Sequence, residues 1–163
     1  FSRLLGIKKT IWLPGDPGYV TGDMTDGHVD GVCAFARPGV LLVDATHDQG
    51  SVYAGVAREN RRALELATDA QGRHFELIEL YEASEAVDTD AEVFCASYTN
   101  FYIANNAIIM PAYGIDADQA AADVLAQAFP GREVVPVRIN HLAHGGGGVH
   151  CITQQQPAWP VQG

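Results

Sequence analysis

The chain has 163 residues, 47% hydrophobic and 18% charged, which suits one globular domain with a sizeable core and excludes an intrinsically disordered segment. Twenty acidic against ten basic residues give a net charge of −10, which argues against a nucleic-acid partner and is compatible with a cationic one. No apolar run reaches the roughly 18 residues that a membrane-spanning helix needs, so no membrane partner is expected.

The start, Phe1-Ser2-Arg3-Leu4-Leu5-Gly6, lacks the apolar core and cleavage region of a secretory signal. Residues 5–13 read as a strand, with Ile11 to Leu13 as its apolar end, and a loop rich in Gly and Pro follows to Gly22. The acidic cluster Asp23-Met24-Thr25-Asp26-Gly27-His28-Val29-Asp30 leads into an apolar run from Val32 to Ala36. Arg37-Pro38-Gly39 reads as a turn and Val40-Leu41-Leu42-Val43 as a short buried strand.

The period then changes. Tyr53, Val56, Ala57, Asn60, Leu64 and Ala67 fall at spacings of three and four, one face of a helix that Asp69 to Gly72 closes. Phe75 to Leu80 reads as a strand, and the acidic stretch Glu82 to Glu92 as a surface loop. Tyr98 to Ala104 reads as a strand, Asn105-Asn106 as a tight turn, and Ala107 to Met110 as the returning strand. Ala117 to Phe129 is helical, with Ala121, Val124, Leu125 and Phe129 on one face, and Glu133 to Ile139 is again a strand.

This is the same order twice. Val40 and Ala107 lie 67 positions apart, so the repeat is strand, strand, helix, strand. Residues 24–80 and 97–139 make two units, residues 5–13 look like the end of an earlier one, and residues 148–153 like the first strand of a later one. Units of this kind bury their faces against neighbours, so the chain reads as about half of a closed ring with two faces left open.

Three cysteines, Cys33, Cys95 and Cys151, form neither a CxxC pair nor a zinc-ligand spacing. Free thiols in a reduced, cytoplasmic setting and no metal or other cofactor are expected. Cys33 and Cys95 sit in apolar runs and read as core thiols. Cys151 differs, because four glycines, Gly145 to Gly148, precede it and leave the backbone open to close approach. By itself this stretch fits either a buried structural cysteine or a nucleophile.

Alternate side chains of an extended segment share a face, so Asp26, His28 and Asp30 are expected to point together from the lip of their unit. Such carboxylates suit a planar guanidinium, although a capping aspartate beside a solvated histidine fits the same residues. His28 and Cys151 head corresponding strands of alternate units, positions that converge near the axis of a ring, where imidazole and thiol can pair. A zinc reading of His28, His150 and Cys151 stays open but weak, since adjacent His150 and Cys151 would face opposite ways along a strand. Asn100 and Asn105 read as backbone-capping groups.

Trp12-Leu13-Pro14, the Asp23–Asp30 cluster, Arg37-Pro38-Gly39, Ser97-Tyr98-Thr99-Asn100-Phe101-Tyr102-Ile103-Ala104-Asn105 and Gly145-Gly146-Gly147-Gly148-Val149-His150-Cys151-Ile152-Thr153-Gln154-Gln155-Gln156-Pro157 together resemble the agmatine deiminases, of the peptidyl-arginine deiminase-type, guanidine-modifying superfamily. The match runs over nearly the whole chain but covers only the C-terminal part of that family. The resemblance implies a partial α/β-propeller (pentein) of ββαβ units, about half of a five-unit ring, in which residues 1–163 form the C-terminal part of a single domain. It implies a small cationic guanidine substrate, with Cys151 as nucleophile, His28 as acid and base, and Asp30 holding the guanidinium. Asp23 and Asp26 are weaker substrate-binding candidates, and Gly147 and Gly148 leave room for a flat guanidinium.

The family's other guanidinium-binding acid lies in the part not covered, and neither Asp44 nor Asp48 can stand in for it, since each follows the second strand of its unit. A missing N-terminal part or another chain is therefore expected to complete the site, and the chain alone to be poorly active or inactive; a homo-oligomer is a further partner that the sequence allows. A free amine tail and an amino-acid tail differ by a carboxylate, so the absence of Arg and Lys from the Asp23–Asp30 stretch favours agmatine over arginine and leaves peptidyl-arginine open.

Overall fold

A computed structural model of the chain describes residues 1–16, 27–83 and 93–156. Five successive buried residues begin the strand β2 (Val40–Ala45), a pattern that only a central strand covered on both faces can carry. Leu41 and Val43 join Leu64 on one side, while Leu42 joins the larger core of Tyr98, Ile108, Met110 and Leu125 on the other. Burying a side chain of this size stabilises by about 2 kcal/mol, so β2 anchors both layers.

β1 (Cys33–Arg37) pairs antiparallel with β2, and β3 (Glu76–Tyr81) pairs parallel with it on the other side. The β1–β2 turn needs Gly39, whose φ is 82°. Between β2 and β3 the chain forms a helix, named α2 because a short helical turn, α1 (Ser2–Leu5), precedes it. This α2 (Val52–Leu66) is capped by Ser51, whose hydroxyl accepts from Ala54 N, and it buries Val56, Asn60 and Leu64 at the expected spacing.

The second sheet repeats the order. β4 (Tyr102–Ile103) pairs antiparallel and β6 (Glu133–Arg138) parallel with the central β5 (Ala107–Ala112), and α3 (Ala117–Ala128) connects β5 to β6. Asp118 accepts from the backbone N–H groups of Tyr113, Gly114 and Ile115 and from the Tyr98 hydroxyl, so it fixes the start of α3 against the core. A final turn, α4 (Asn140–Ala143), leads into the glycines. Among the described residues no helix is long and apolar enough to cross a membrane.

Three expected strands are absent or shortened. Residues 5–13 join neither sheet: Leu5 ends α1, and Ile11 and Leu13 pack on Leu41, Val43 and Leu64, while just beyond them Asn60 bonds to both N–H and C=O of Gly15. The strand expected over Tyr98–Ala104 shrinks to two residues, because Ser97 turns its hydroxyl onto Thr99 N and draws the preceding chain into a turn. Residues 148–153 contain a 3-10 turn, His150–Ile152, in place of a strand.

Candidate active site

The site is built on the buried segment Ser97–Phe101, which lies between the two sheets. The residues before it are tied to the chain that follows each sheet: Ala83 N, two residues past β3, donates to Ala96 O, and Cys95 N donates to the carbonyl of Ala143, in α4. Ser97, Tyr98, Thr99 and Asn100 are all buried, so their polar groups must find partners inside the protein. Ser97 Oγ lies 2.6 Å from Asp44 Oδ1 and 2.6 Å from the Thr99 hydroxyl. Thr99 in turn donates to the carbonyl of Asp30 at 3.3 Å.

Asn100 is the central residue. Its Oδ1 accepts from the backbone N–H of His150 at 2.9 Å and of Cys151 at 3.4 Å, and its Nδ2 lies 3.3 Å from the Cys151 sulfur. This one side chain therefore bends residues 150–152 into their turn and touches the thiol. The Asp30 carboxylate meets the same turn from the other side: Oδ2 is 2.8 Å from His150 Nδ1 and 3.5 Å from Cys151 Sγ. Asp30 itself sits in a short 3-10 turn, Val29–Gly31. Cys151 is exposed, and the Asp30 side chain is only 18% exposed, so the thiol faces outward over a half-buried acid.

Of the expected residues, the structure brings Cys151 and Asp30 together. His28 is exposed and opens the Val29–Gly31 turn, its carbonyl accepting from Gly31 N at 3.0 Å. Because Asp30 is turned and not extended, the expected alternation of Asp26, His28 and Asp30 along one strand face does not hold; Asp23 and Asp26 lie outside the described residues. The space beside the α-carbons of Gly147 and Gly148 is taken by the protein's own Cys151 and Asn100 side chains.

Two residues that the structure adds to the candidate site carry no such signal in the sequence. Strand alternation turns His150 away from Cys151, whereas in the 3-10 turn both reach Asp30. Asn100 does cap backbone N–H groups as expected, but it also contacts the sulfur. Among the described residues no group of three His, Cys, Asp or Glu is placed to hold a metal ion.

Burial pushes the thiols of Cys33 and Cys95 up to about 11, as suits core cysteines. The same cause pushes the Asp44 carboxyl up to about 8, against the hydrogen bonds from Ser97 and Tyr53 that favour its charge. The folded protein therefore holds this proton more tightly than the unfolded chain, whose carboxyl titrates near 3.8. The associated stability is complete below that value and is lost as pH rises to about 8. Relative to Asp44→Asn, the wild type should lose on the order of a few kcal/mol between pH 4 and 8, and the difference should then level off. Urea denaturation of both proteins across this range measures it, and a flat difference would contradict the buried, neutral carboxyl.

Residues 1–157 match the family model described as Porphyromonas-type peptidyl-arginine deiminase. An agmatine deiminase of Medicago truncatula is 39% identical over 94% of this chain and 46% of its own length. Among solved structures, an Enterococcus faecalis agmatine deiminase, described as catalysing its reaction, has a TM-score of 0.83 and 31% identity over 96% of this chain and 45% of that one. A substrate-bound agmatine deiminase of C. jejuni has a TM-score of 0.77 and 25% identity over 91% of this chain and 42% of that one. The mixed α/β fold with its small sheets matches these deiminase structures. The chain thus spans less than half the length of the relatives it matches.

Proposed function

Since this chain belongs to the Porphyromonas-type peptidyl-arginine deiminase family, we propose that it is the C-terminal part of an enzyme that hydrolyses agmatine to N-carbamoylputrescine and ammonia. The observation that carries this reading is the exposed Cys151 thiol lying 3.5 Å from the Asp30 carboxylate. A negative group so close to a nucleophilic sulfur suits a cationic electrophile, whose planar N–H groups it can bind while the sulfur reaches the carbon between them.

In the proposed reaction the Cys151 sulfur attacks the guanidinium carbon of agmatine. One nitrogen leaves as ammonia, taking a proton from His28, and an amidino-cysteine remains. Water, deprotonated by His28, then attacks that carbon, the C–S bond breaks, and the sulfur departs with the ureido product formed. Asp30 holds the guanidinium nitrogens through both steps, with Asp23 and Asp26 as further candidates for the substrate's amine. Asn100 and His150 hold the turn that carries the sulfur.

The two three-stranded sheets are read as successive ββαβ units of a five-unit ring, whose remaining units and second guanidinium-binding acid come from an N-terminal part or another chain. Product formation of this kind places the enzyme in putrescine biosynthesis, and free thiols suit the cytoplasm. The family description itself favours a second reading, deimination of peptidyl-arginine. Incubating the full-length protein with agmatine, arginine or an arginyl peptide, and measuring ammonia, decides between them. Agmatine is expected to have the highest kcat/KM by at least about tenfold, a gap worth roughly 1.4 kcal/mol. A preference for the peptide would replace the proposed substrate, and robust turnover by the 163-residue chain alone would remove the need for the missing acid.

A further inference from the structure

Asp44 is a buried acid that takes no part in the reaction above, yet it lies at the base of the site. It is 4% exposed, on β2, and both its oxygens are occupied. Oδ2 accepts from the Tyr53 hydroxyl of α2 at 2.5 Å, and Oδ1 is 2.6 Å from Ser97 Oγ. From Ser97 the hydroxyls continue to the turn that bears Asp30. Ser97 Oγ is 3.2 Å from the carbonyl of Gly31, and Thr99 Oγ1 is 3.3 Å from the carbonyl of Asp30. These two carbonyls are consecutive in the Val29–Gly31 turn, so the chain of hydroxyls grips the main chain on which the Asp30 carboxylate is mounted.

We propose that Asp44 is a positioning residue which, through Ser97 and Thr99, sets the main chain of the Asp30 turn and thereby aims the Asp30 carboxylate at the space beside Cys151. The inference rests on the reading of Cys151 as the reacting thiol and Asp30 as the cation-holding acid. Its physical basis is that a carboxylate on a three-residue turn has little secondary structure to fix it, whereas buried hydrogen bonds to the turn's carbonyls hold it to a few tenths of an ångström. Burial favours the neutral form of Asp44. In that form Oδ2 accepts from Tyr53, and the protonated Oδ1 donates to Ser97, which can pass its own hydrogen on toward Thr99 or the Gly31 carbonyl. An asparagine can reproduce this pattern, its oxygen accepting from Tyr53 and its amide donating to Ser97. An alanine cannot.

The test measures aim without needing turnover. In the full-length protein, Cys151 is alkylated with a cationic haloacetamidine and with neutral iodoacetamide, and the modification at Cys151 is followed by mass spectrometry. In each case sulfur displaces the halide, so the ratio of the two rates reports how well Asp30 meets a cation beside the sulfur. The wild type should favour the cationic reagent, and Asp30→Ala should erase that preference. Asp44→Ala should lower the ratio roughly tenfold, the usual scale for losing a supporting hydrogen bond at a site, and Asp44→Asn should retain it. Thr99→Val, which removes only the last hydroxyl of the chain, should lower the ratio in the same direction and decides the matter if Asp44→Ala does not fold. An unchanged ratio in folded Asp44→Ala or in Thr99→Val overturns the proposal. So does an Asp30→Ala ratio equal to that of the wild type. A wild type that prefers the cation but leaves agmatine intact would sink the deiminase reading alone, and the ratios would still judge Asp44.

Discussion

Replacing Cys151 by alanine in the full-length protein should abolish ammonia release from agmatine, with kcat falling by at least roughly three orders of magnitude. Alanine keeps the backbone N–H that Asn100 holds and removes only the sulfur, so the loss reads the chemistry of the thiol and not the shape of the turn. The two other cysteines supply the contrast. Both are half-buried, and burial pushes their thiols up to about 11, so at neutral pH neither offers an appreciable thiolate. Cys33→Ala and Cys95→Ala should therefore retain kcat within about threefold, at a cost of about 1 kcal/mol in stability for the lost packing. Steady-state kinetics of the three variants measures this. Surviving activity in Cys151→Ala would end the nucleophile assignment.

Gly148→Ala should have the second largest effect, because a methyl group at this position collides with Asn100. A Cβ built on Gly148 lies 2.6 Å from Asn100 Oδ1, 2.9 Å from its Cγ and 3.0 Å from its Cβ. These are not the far end of a movable side chain. Asn100 is 2% exposed and is pinned by its bonds to the N–H groups of His150 and Cys151. Relief must come from shifting the turn that carries the sulfur, and overpacking of this sort costs about 1–3 kcal/mol. Since a displacement near 1 Å at a reacting group can cost about a hundredfold in rate, kcat/KM should fall by roughly that much. Gly145→Ala meets only the Leu142 carbonyl, at 3.2 Å, and should be far milder. Comparing kcat/KM and urea midpoints of the two variants tests the point; equal behaviour would show that Asn100 has room to yield.

The regular parts of the fold were legible because apolar period and secondary structure agree there. The buried run from Val40, the helical spacing of Val56, Asn60 and Leu64, and the return to strands at Phe75 and Glu133 all carry a single reading. The failures share a cause. At Ser97–Asn100 and His150–Ile152 short polar side chains satisfy backbone groups that a strand would have paired, and no periodicity records that competition. Residues 5–13 fail differently: Leu5 ends α1, and Ile11 and Leu13 do point inward as a strand's would, while just beyond them Asn60 bonds to both N–H and C=O of Gly15.

Within the candidate site, the nearness of Cys151 and Asp30 was legible from residue type and motif. Asn100 and His150 were not, because their roles depend on contacts made across the fold. The bond from Asn100 to His150 spans 50 positions, and that from His150 to Asp30 spans 120. Strand alternation, the only local rule available for neighbours such as His150 and Cys151, gives the wrong directions once the chain turns.

Those separations also bear on the time course of folding. Each sheet closes mainly through the contacts of its own strands and connecting helix, while the cluster around Asn100 has to join three distant stretches of chain. Loop-closure entropy must be met before such contacts yield anything, so they belong to the last events of folding and the transition state should hold little of them. Substitutions in the cluster should then accelerate unfolding far more than they slow folding. In chain order both sheets come before Cys151, so the last of the three stretches to be joined is the turn that Asn100 holds.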